Sequence, residues 1–520
     1  MNPSYLILFL CLLSSLVPAY CQSSTYVDIH VNSTTKPFYS QTKKKYNLWE
    51  PIDHFCDKNL PSQVIRDFGF KVPKNAQSNF EALISGNVRI VCINLSPIEQ
   101  EYFNLSSFAN NKNKATTVAC ITGIQGNELF LRRKEVDYFT DLLAHISFVK
   151  DYENQPHYIN GKEYTYRIIR EEADVDKVLQ TPNQIGLILT IEGAHSIGHS
   201  LYIKDEITNL EEYRRYILNN VNRLKGKLPL SADNPGVLEA PILFFAPCKL
   251  FYNGAGGQAL TFNREQQNVF SKPENLDEAE TELGKSIIDS LISKEGHRIL
   301  IDLKHMNLAF RTYYYKLVER AGILGEDIPV VASHCGISGL KWKDVLYKKR
   351  DDDSKNNNSY LNHWQQNLGD EDIQKIFQSR GLIGISLDKS VIAGQIALNE
   401  IKNTELGSRQ RRMACLKVFM ANVFTIIRVI NSPKAWDIIS VGSDFDAMFD
   451  PLDPYASAED FPALANDMAR FLDNPQDIGR DLFTAQEIKR LMFNLSTSDI
   501  VEKIMSTNAI NFIKRNLGKN

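Results

Sequence analysis

The 520-residue chain lacks most of the features that mark specialised classes of protein. Its 62 Asp and Glu nearly balance its 59 Lys and Arg, so no charge excess favours nucleic acid as a partner. Repeated long apolar runs are missing, which excludes a multi-span membrane protein. With 43% hydrophobic and 23% charged residues, the composition also excludes a disordered chain, a collagen and a coiled-coil rod.

Cysteine is sparse for a chain of this length and shows no metal-binding spacing. The 8 cysteines include no C-x-x-C pair, so the sequence does not predict a zinc ribbon. A core of this size does not need a disulfide framework, although individual disulfides stay open.

The one long apolar run lies at the N-terminus, over residues 5–17, and small residues follow it at 17–19. It is short for a membrane span, and its flank suits signal peptidase. We therefore predict a signal peptide over residues 1–19, although no Lys or Arg precedes the run; an uncleaved anchor is the alternative. The mature chain would be exported, as a secreted, periplasmic or membrane-associated protein without a transmembrane segment.

Eight short apolar runs alternate with helix-like segments such as Asp277–Lys294 and Gln410–Ile430. Their apolar residues are continuous, which is typical of parallel strands buried on both faces. Eight strand–helix units predict an α/β fold of the (β/α)8 TIM-barrel type. The runs are Thr25–His30, Asn87–Leu95, Ile185–Glu192, Pro241–Ala246, Arg298–His305, Ile328–His334, Leu382–Asp388 and Asp437–Asp444.

Two stretches are too long for simple connections between these units. We predict inserts at about 97–184, with a helix at Val136–Phe148, and at 341–367, a charged and Asn-rich loop. No linker to a second domain is visible, so residues 20–520 are predicted to form one decorated barrel.

Polar residues end five of the runs, where the active sites of such barrels lie. His30, His305 and His334 supply imidazoles, and Glu192 and Asp444 supply carboxylates, the combination that a zinc site needs. A single His at a strand end is more often a hydrogen-bonded structural residue, and Asp444 alone could cap a helix. The joint pattern favours a metal site at which a carboxylate bridges two ions that activate one water.

These strand ends resemble the membrane (renal-type) dipeptidase family of the amidohydrolase superfamily, over nearly the whole mature chain and with inserts like those of longer bacterial members. The resemblance implies a zinc hydrolase that cleaves the amide bond of dipeptides through a metal-bound hydroxide. Some relatives are dimers, so a homodimer stays open. The matching stretches are Val-Asp-Ile-His (27–30), Leu-Thr-Ile-Glu-Gly-Ala-His (189–195), Ile-Asp-Leu-Lys-His (301–305), Ala-Ser-His (332–334), Gly-Leu-Ile-Gly-Ile (381–385) and Gly-Ser-Asp-Phe-Asp (442–446).

The resemblance also implies a role for each residue of the site. Glu192 is expected to bridge two Zn²⁺ ions, and His305 and His334 to complete the protein ligands of one of them. His30 is expected to bind the second ion. Asp444 would shuttle the proton or bind that second ion.

Two departures from the family pattern affect the site. The family has His-x-Asp at strand one, whereas this chain has His30 and Asn32. Asn32 is expected to bind the second ion through its carbonyl oxygen, but a neutral amide is a poor zinc ligand, so this ion should bind more weakly. At strand four, Lys249 falls about where a family His is expected, and with Asn253 it is predicted to bind substrate; the alternative is that Lys249 points into solvent. A catalytically degenerate, dipeptidase-like binding protein with an incomplete binuclear site is therefore the alternative function.

Overall fold

The computed structural model describes most of the chain. The predicted signal peptide, four of the cysteines and residues 346–357 of the second predicted insert lie outside the described residues. The four cysteines inside them are buried and free. The described residues are 25–40, 46–52, 76–103, 124, 126–199, 209–231, 235–261, 275–345, 358–447 and 450–519.

Each of the eight predicted runs contains a strand, which confirms the prediction of a mixed α/β protein. Two further strands, β3 and β4, lie in the first predicted insert. The strands are β1 (Tyr26–Val31), β2 (Val88–Leu95), β3 (His157–Ile159), β4 (Lys162–Ile168), β5 (Gln184–Glu192), β6 (Ile242–Ala246), β7 (Leu300–Ile301), β8 (Val331–Cys335), β9 (Leu382–Ile385) and β10 (Ile439–Val441).

The strands form two sheets that are bridged at both edges. In the first sheet β1, β2, β5, β6 and β7 are parallel neighbours, and β4 pairs with the first half of β5. The second sheet contains the parallel strands β8, β9 and β10. Parallel bridges join Asp302 to Val331 and Val31 to Phe445. The strands of the eight predicted runs therefore neighbour one another in chain order, and the last returns to the first.

The strands are apolar because they are covered on both faces. Every residue of β1, β5, β6 and β8 is buried. Two glycines allow β8, β9 and β10 to approach closely: a Cβ at Gly384 or Gly442 would lie 2.0 or 1.8 Å from the carbonyl oxygen of Ser333. Side chains at these two positions would force the strands apart.

The helices surround the sheets and begin at side-chain caps in several places, such as Asp137, Thr281 and Ser408. One of them, Arg409–Ile430, is long and apolar enough to cross a membrane, but most of it is buried in the protein, as expected of a core helix. The α-helices of at least eight residues are Gly126–Glu135, Tyr138–Asp151, Glu172–Gln180, Leu210–Leu224, Glu282–Ile292, Leu308–Ile323, Asp370–Gln378, Gln395–Lys402, Arg409–Ile430, Phe461–Asp473 and Asn508–Asn516.

The first predicted insert carries an antiparallel hairpin, β3–β4, whose turn residues Asn160 and Gly161 both have positive φ. An ion pair between Arg170 and Glu153 stabilises the end of this hairpin. Arg170 donates to both carboxylate oxygens of Glu153, each at 2.7 Å, and the backbone N–H of Ile168 donates to the same carboxylate at 2.9 Å. The paired donors fix the end of β4 against the segment that follows helix Tyr138–Asp151.

Candidate active site

A cavity of about 130 Å³ lies at the carboxyl ends of the strands. His30 is buried beside it, with its ring stacked on that of His334 at a centroid distance of 3.8 Å. The side chain of Asn253 instead holds a turn: it donates to the carbonyl of Pro247 at 2.9 Å and accepts from the N–H of Ala255 at 3.1 Å. The other residues that the sequence singles out line the cavity: Asn32, Glu192, Lys249, His305, His334 and Asp444.

Two of the lining residues adopt a backbone conformation that is rare outside glycine. The φ angle is +66° at both His305 and Asp444. Such conformations cost about 1–3 kcal/mol each and persist where the surrounding structure imposes them, often at functional sites. Gly193, with φ of +88°, turns the chain directly after Glu192. The three turns follow strands β7, β10 and β5, and so bring their terminal side chains to one place.

Glu192, His305 and His334 form the first candidate metal site, which we name the Glu192 cluster. Oε1 of Glu192 lies 2.9 Å from Nε2 of His305 and 3.6 Å from Nε2 of His334. Burial opposes ionisation of Glu192, but the attraction of Lys249 and His305 outweighs it and lowers its pKa well below the usual range. Oε1 is buried without a hydrogen-bond partner among the described residues, and a cation bound there would supply the missing interaction.

A second group brings His30, His334 and Asp444 together. Nε2 of His30 lies 3.8 Å from Oδ1 of Asp444 and has no hydrogen-bond partner among the described residues. Burial and then the charge of Glu192 raise the pKa of Asp444 well above its usual value. In each of the two groups the candidate ligand atoms lie within 4.8 Å of one another, as ligands of one ion must.

One serine orients two of the imidazoles. Oγ of Ser333 donates its only proton to Oδ2 of Asp302 at 2.5 Å. The same oxygen lies 2.8 Å from Nδ1 of His334 and 3.2 Å from Nδ1 of His30, and with its proton committed it accepts from both. Both rings therefore carry hydrogen on Nδ1 and leave the Nε2 lone pair bare, which is the tautomer that a metal ligand requires.

His305 is held differently: its Nδ1 lies 3.3 Å from Oγ of Thr261, and its Nε2 lies 2.9 Å from Oε1 of Glu192. All three rings are also held neutral. Burial lowers the pKa of His30 to about 3, lowers that of His334 well below its ordinary value, and lowers that of His305. Neutral imidazoles beside a carboxylate are the donor set of a divalent metal site, so the residues present fit an ion such as zinc.

Asn32 is part of a pair of buried amides. Nδ2 of Asn94 donates to Oε2 of Glu192 at 2.8 Å and to Oδ1 of Asn32 at 2.9 Å. Nδ2 of Asn32 in turn donates to Oδ1 of Asp444 at 3.3 Å. The acceptor Glu192 fixes the orientation of Asn94, which fixes that of Asn32, so the Asn32 oxygen is already engaged.

Lys249 points into the site. Its Nζ lies 3.2 Å from Oε2 of Glu192 and donates to Oγ of Ser96 at 2.7 Å. The Ser96 hydroxyl donates to the carbonyl of Glu192 at 2.8 Å, so it anchors the ammonium to the end of β5. The cation therefore contacts the same carboxylate that the resemblance expects to bridge two ions.

Lys304 is a site residue that the sequence reasoning did not single out. It is 3% exposed, lines the cavity, and its ammonium donates to Oε1 of Gln366 at 3.4 Å. Among the described residues, no carboxylate lies within 4.0 Å of its Nζ. The signal was present, since a lysine next to His305 at a buried strand end is unusual. Asn94, a polar residue inside an apolar run, gave a similar signal.

Neither the family models nor the curated proteins contain a match to the chain. Solved structures do resemble it. A dipeptidase described as a metallopeptidase of family M19 has 14% identity and a TM-score of 0.48, with 96% of this chain and 100% of that chain covered. A metallopeptidase from Rhodobacter sphaeroides, liganded with a phosphinate mimic of the dipeptide L-Ala-D-Ala, has 13% identity and a TM-score of 0.47, with 95% and 100% covered.

A third structure, the probable dipeptidase PvdM from Pseudomonas aeruginosa, has 12% identity and a TM-score of 0.46, with 95% of each chain covered. Identity and TM-score are low in all three cases, so the functional proposal depends on the residues of the site. The solved structures that this chain resembles are thus dipeptidases and metallopeptidases.

Proposed function

We propose that this chain is a zinc-dependent hydrolase that cleaves the amide bond of dipeptides. The Glu192 cluster carries the proposal: a buried carboxylate oxygen lies 2.9 Å and 3.6 Å from the Nε2 atoms of two buried imidazoles, a carboxylate–imidazole set that suits one divalent ion. We further propose that the strands form the (β/α)8 barrel of the amidohydrolase type. The return of the strand order from Phe445 to Val31 supports this barrel.

The roles of the residues follow from their positions. Glu192, His305 and His334 would hold the ion, which when bound supplies Lewis acidity and an activated water. Asp444 lines the cavity, and its Oδ1 accepts from Asn32. Its carboxylate would accept a proton and pass it to a leaving amine.

Lys304 is suited to bind the carboxylate of the substrate. A buried ammonium without an anionic partner is costly, and an incoming carboxylate would supply that partner. We also propose that the chain is exported after cleavage of the predicted signal peptide.

The direct test compares wild type with Glu192→Gln in metal content and in hydrolysis of a dipeptide panel. The variant loses the charge that faces the imidazoles, so we expect hydrolysis to fall at least about 100-fold and bound zinc to be lost on dialysis. Chelation of the wild type should abolish hydrolysis and added zinc should restore it. Glu135→Gln, an exposed carboxylate of helix Gly126–Glu135, is the control and should match wild type. Unchanged zinc content in Glu192→Gln would show that Glu192 is not a zinc ligand and would refute the proposed site.

One observation favours a second function. The amide of Asn32 stands where the resembled family has a carboxylate, and its oxygen is already bonded to Asn94. A barrel that kept the pocket and lost the reaction would bind peptides without cleaving them. Tight binding of a dipeptide by zinc-loaded protein, with no product after prolonged incubation, would establish that function instead.

A further inference from the structure

The two oxygens of Glu192 face different surroundings. Oε2 accepts from Nδ2 of Asn94 at 2.8 Å and lies 3.2 Å from the ammonium of Lys249. Oε1 has no hydrogen-bond partner among the described residues and faces His305 and His334. A carboxylate that bridges two cations needs both oxygens, and here protein donors already occupy one of them.

Asn32, another candidate ligand of a second ion, is also already engaged in hydrogen bonds. The Asn32 oxygen accepts from Asn94, and its nitrogen points at Asp444. Because Glu192 fixes the orientation of Asn94, a reversed Asn32 amide would place two N–H groups against each other, which disfavours the reversed orientation. On this side His30 and Asp444 remain, and an ammonium beside the shared carboxylate repels a divalent ion.

We infer that the site binds one divalent ion, on Oε1 of Glu192, and that the Lys249 ammonium takes the place of a second ion. This inference rests on the proposed function for the identity of the first ion. Lys249 is anchored by Ser96 and lines the cavity, so its charge faces the substrate as well as Glu192. A fixed positive charge at that place stabilises negative charge that develops on a substrate oxygen.

Metal content of the purified full-length protein, measured by elemental analysis after dialysis against dilute zinc, is the first test. We expect one ion per chain; two ions, or none, would overturn the inference. We expect His305→Ala to lose the ion and His30→Ala to keep it. The reverse would place the ion at the group of His30, His334 and Asp444, and would also overturn the inference.

The double variant Asn32→Asp, Lys249→Ala tests whether the Lys249 ammonium takes the place of a second ion. It removes the ammonium and restores an anionic ligand. We expect it to bind two ions, whereas Lys249→Arg keeps the cation and should bind one. If the double variant does not fold, the wild-type stoichiometry and the two histidine variants still decide. A wild type with one ion and no dipeptide hydrolysis would leave this inference standing and refute the proposed function. A wild type with two ions that hydrolyses dipeptides would refute this inference and support the proposed function.

Discussion

At the scale of single residues, the site depends on side chains that never touch the proposed ion. Ser333 sets the tautomer of two imidazoles by giving its proton to Asp302. Sequence reasoning found His30 and His334 because their type and position suit a metal. It did not find the role of Ser333, because the hydrogen bond from Ser333 to Asp302 spans two strands and depends on their register.

Ser333→Ala tests this role. Without the hydroxyl both rings are free to protonate on Nε2, so we expect zinc affinity to fall about 10–100-fold with little change in fold. Isothermal titration with zinc measures it. The control is Ser440→Ala, because the Ser440 hydroxyl is buried in β10 and has no hydrogen-bond partner among the described residues. Equal zinc affinity in Ser333→Ala and wild type would rule out the tautomer argument.

Lys304→Met separates stability from substrate binding. The variant removes a buried ammonium whose hydrogen bond to Gln366 is long, at 3.4 Å, so the free energy of unfolding should stay equal or rise by about 1 kcal/mol. The KM for a dipeptide should rise about 10-fold or more, while the KM for the matching dipeptide amide, which has no carboxylate, should not change. Exposed Lys434→Met serves as the control. An equal effect on both substrates would exclude Lys304 as the carboxylate partner.

At the scale of helices and strands, the predicted bounds differ from the observed ones where local capping decides. The helix predicted from Asp277 begins at Glu282, because the side chain of Thr281 accepts from the N–H of Gly284. The run predicted as a strand over Arg298–His305 contains only the two-residue strand β7. After β7 the backbone turns and brings His305 into the site. The pattern of apolar residues does not predict that turn.

The ion pair of Glu153 and Arg170 gives a pH-dependent prediction at this scale. Burial opposes ionisation of Glu153, but its hydrogen bonds outweigh burial and lower its folded-state pKa below the ordinary 4.5. Its stabilising contribution is thus complete above pH 4.5 and is lost as pH falls through the lower folded-state pKa. We expect Glu153→Gln to reduce the free energy of unfolding by about 1–2 kcal/mol at pH 7, and the difference to shrink at acid pH.

Chemical denaturation of both proteins at pH 7 and at successively lower pH measures this difference. Exposed Glu135→Gln should show no difference at any pH. A Glu153→Gln deficit that grew on acidification would contradict the sign of the pKa shift.

At the scale of the whole molecule, the order of the strands could be predicted and the closeness of their packing could not. Continuous apolar runs identified eight of the ten described strands, because burial on both faces leaves that pattern. The contacts between distant strands leave no such pattern. Asn94 meets Asn32 and Glu192 across 62 and 98 positions, and Lys249 reaches Ser96 across 153. The position of Lys249 relative to Glu192 therefore needed the folded structure.

Gly442→Ala tests the close approach of β8 to β10. A Cβ at this position would lie 1.8 Å from the Ser333 carbonyl oxygen, so the two segments would have to separate. We expect a loss of about 3 kcal/mol in the free energy of unfolding, together with weaker zinc binding because Ser333 moves. Gly322→Ala is the control, since a Cβ there meets no atom within 4 Å. Wild-type stability in Gly442→Ala would mean that the strands are not packed this closely.

The buried pair of Asn32 and Asn94 has a consequence for how the protein is made. Both asparagines lie in the N-x-S/T pattern that oligosaccharyltransferases recognise, Asn32-Ser-Thr and Asn94-Leu-Ser. They are 5% and 1% exposed in the fold, and the nitrogens that a sugar would occupy donate to Asp444 and Glu192. A glycan added to either nitrogen before folding would occupy the centre of the site and prevent its assembly. A glycosylating secretory pathway and this folded site therefore compete for the same two atoms.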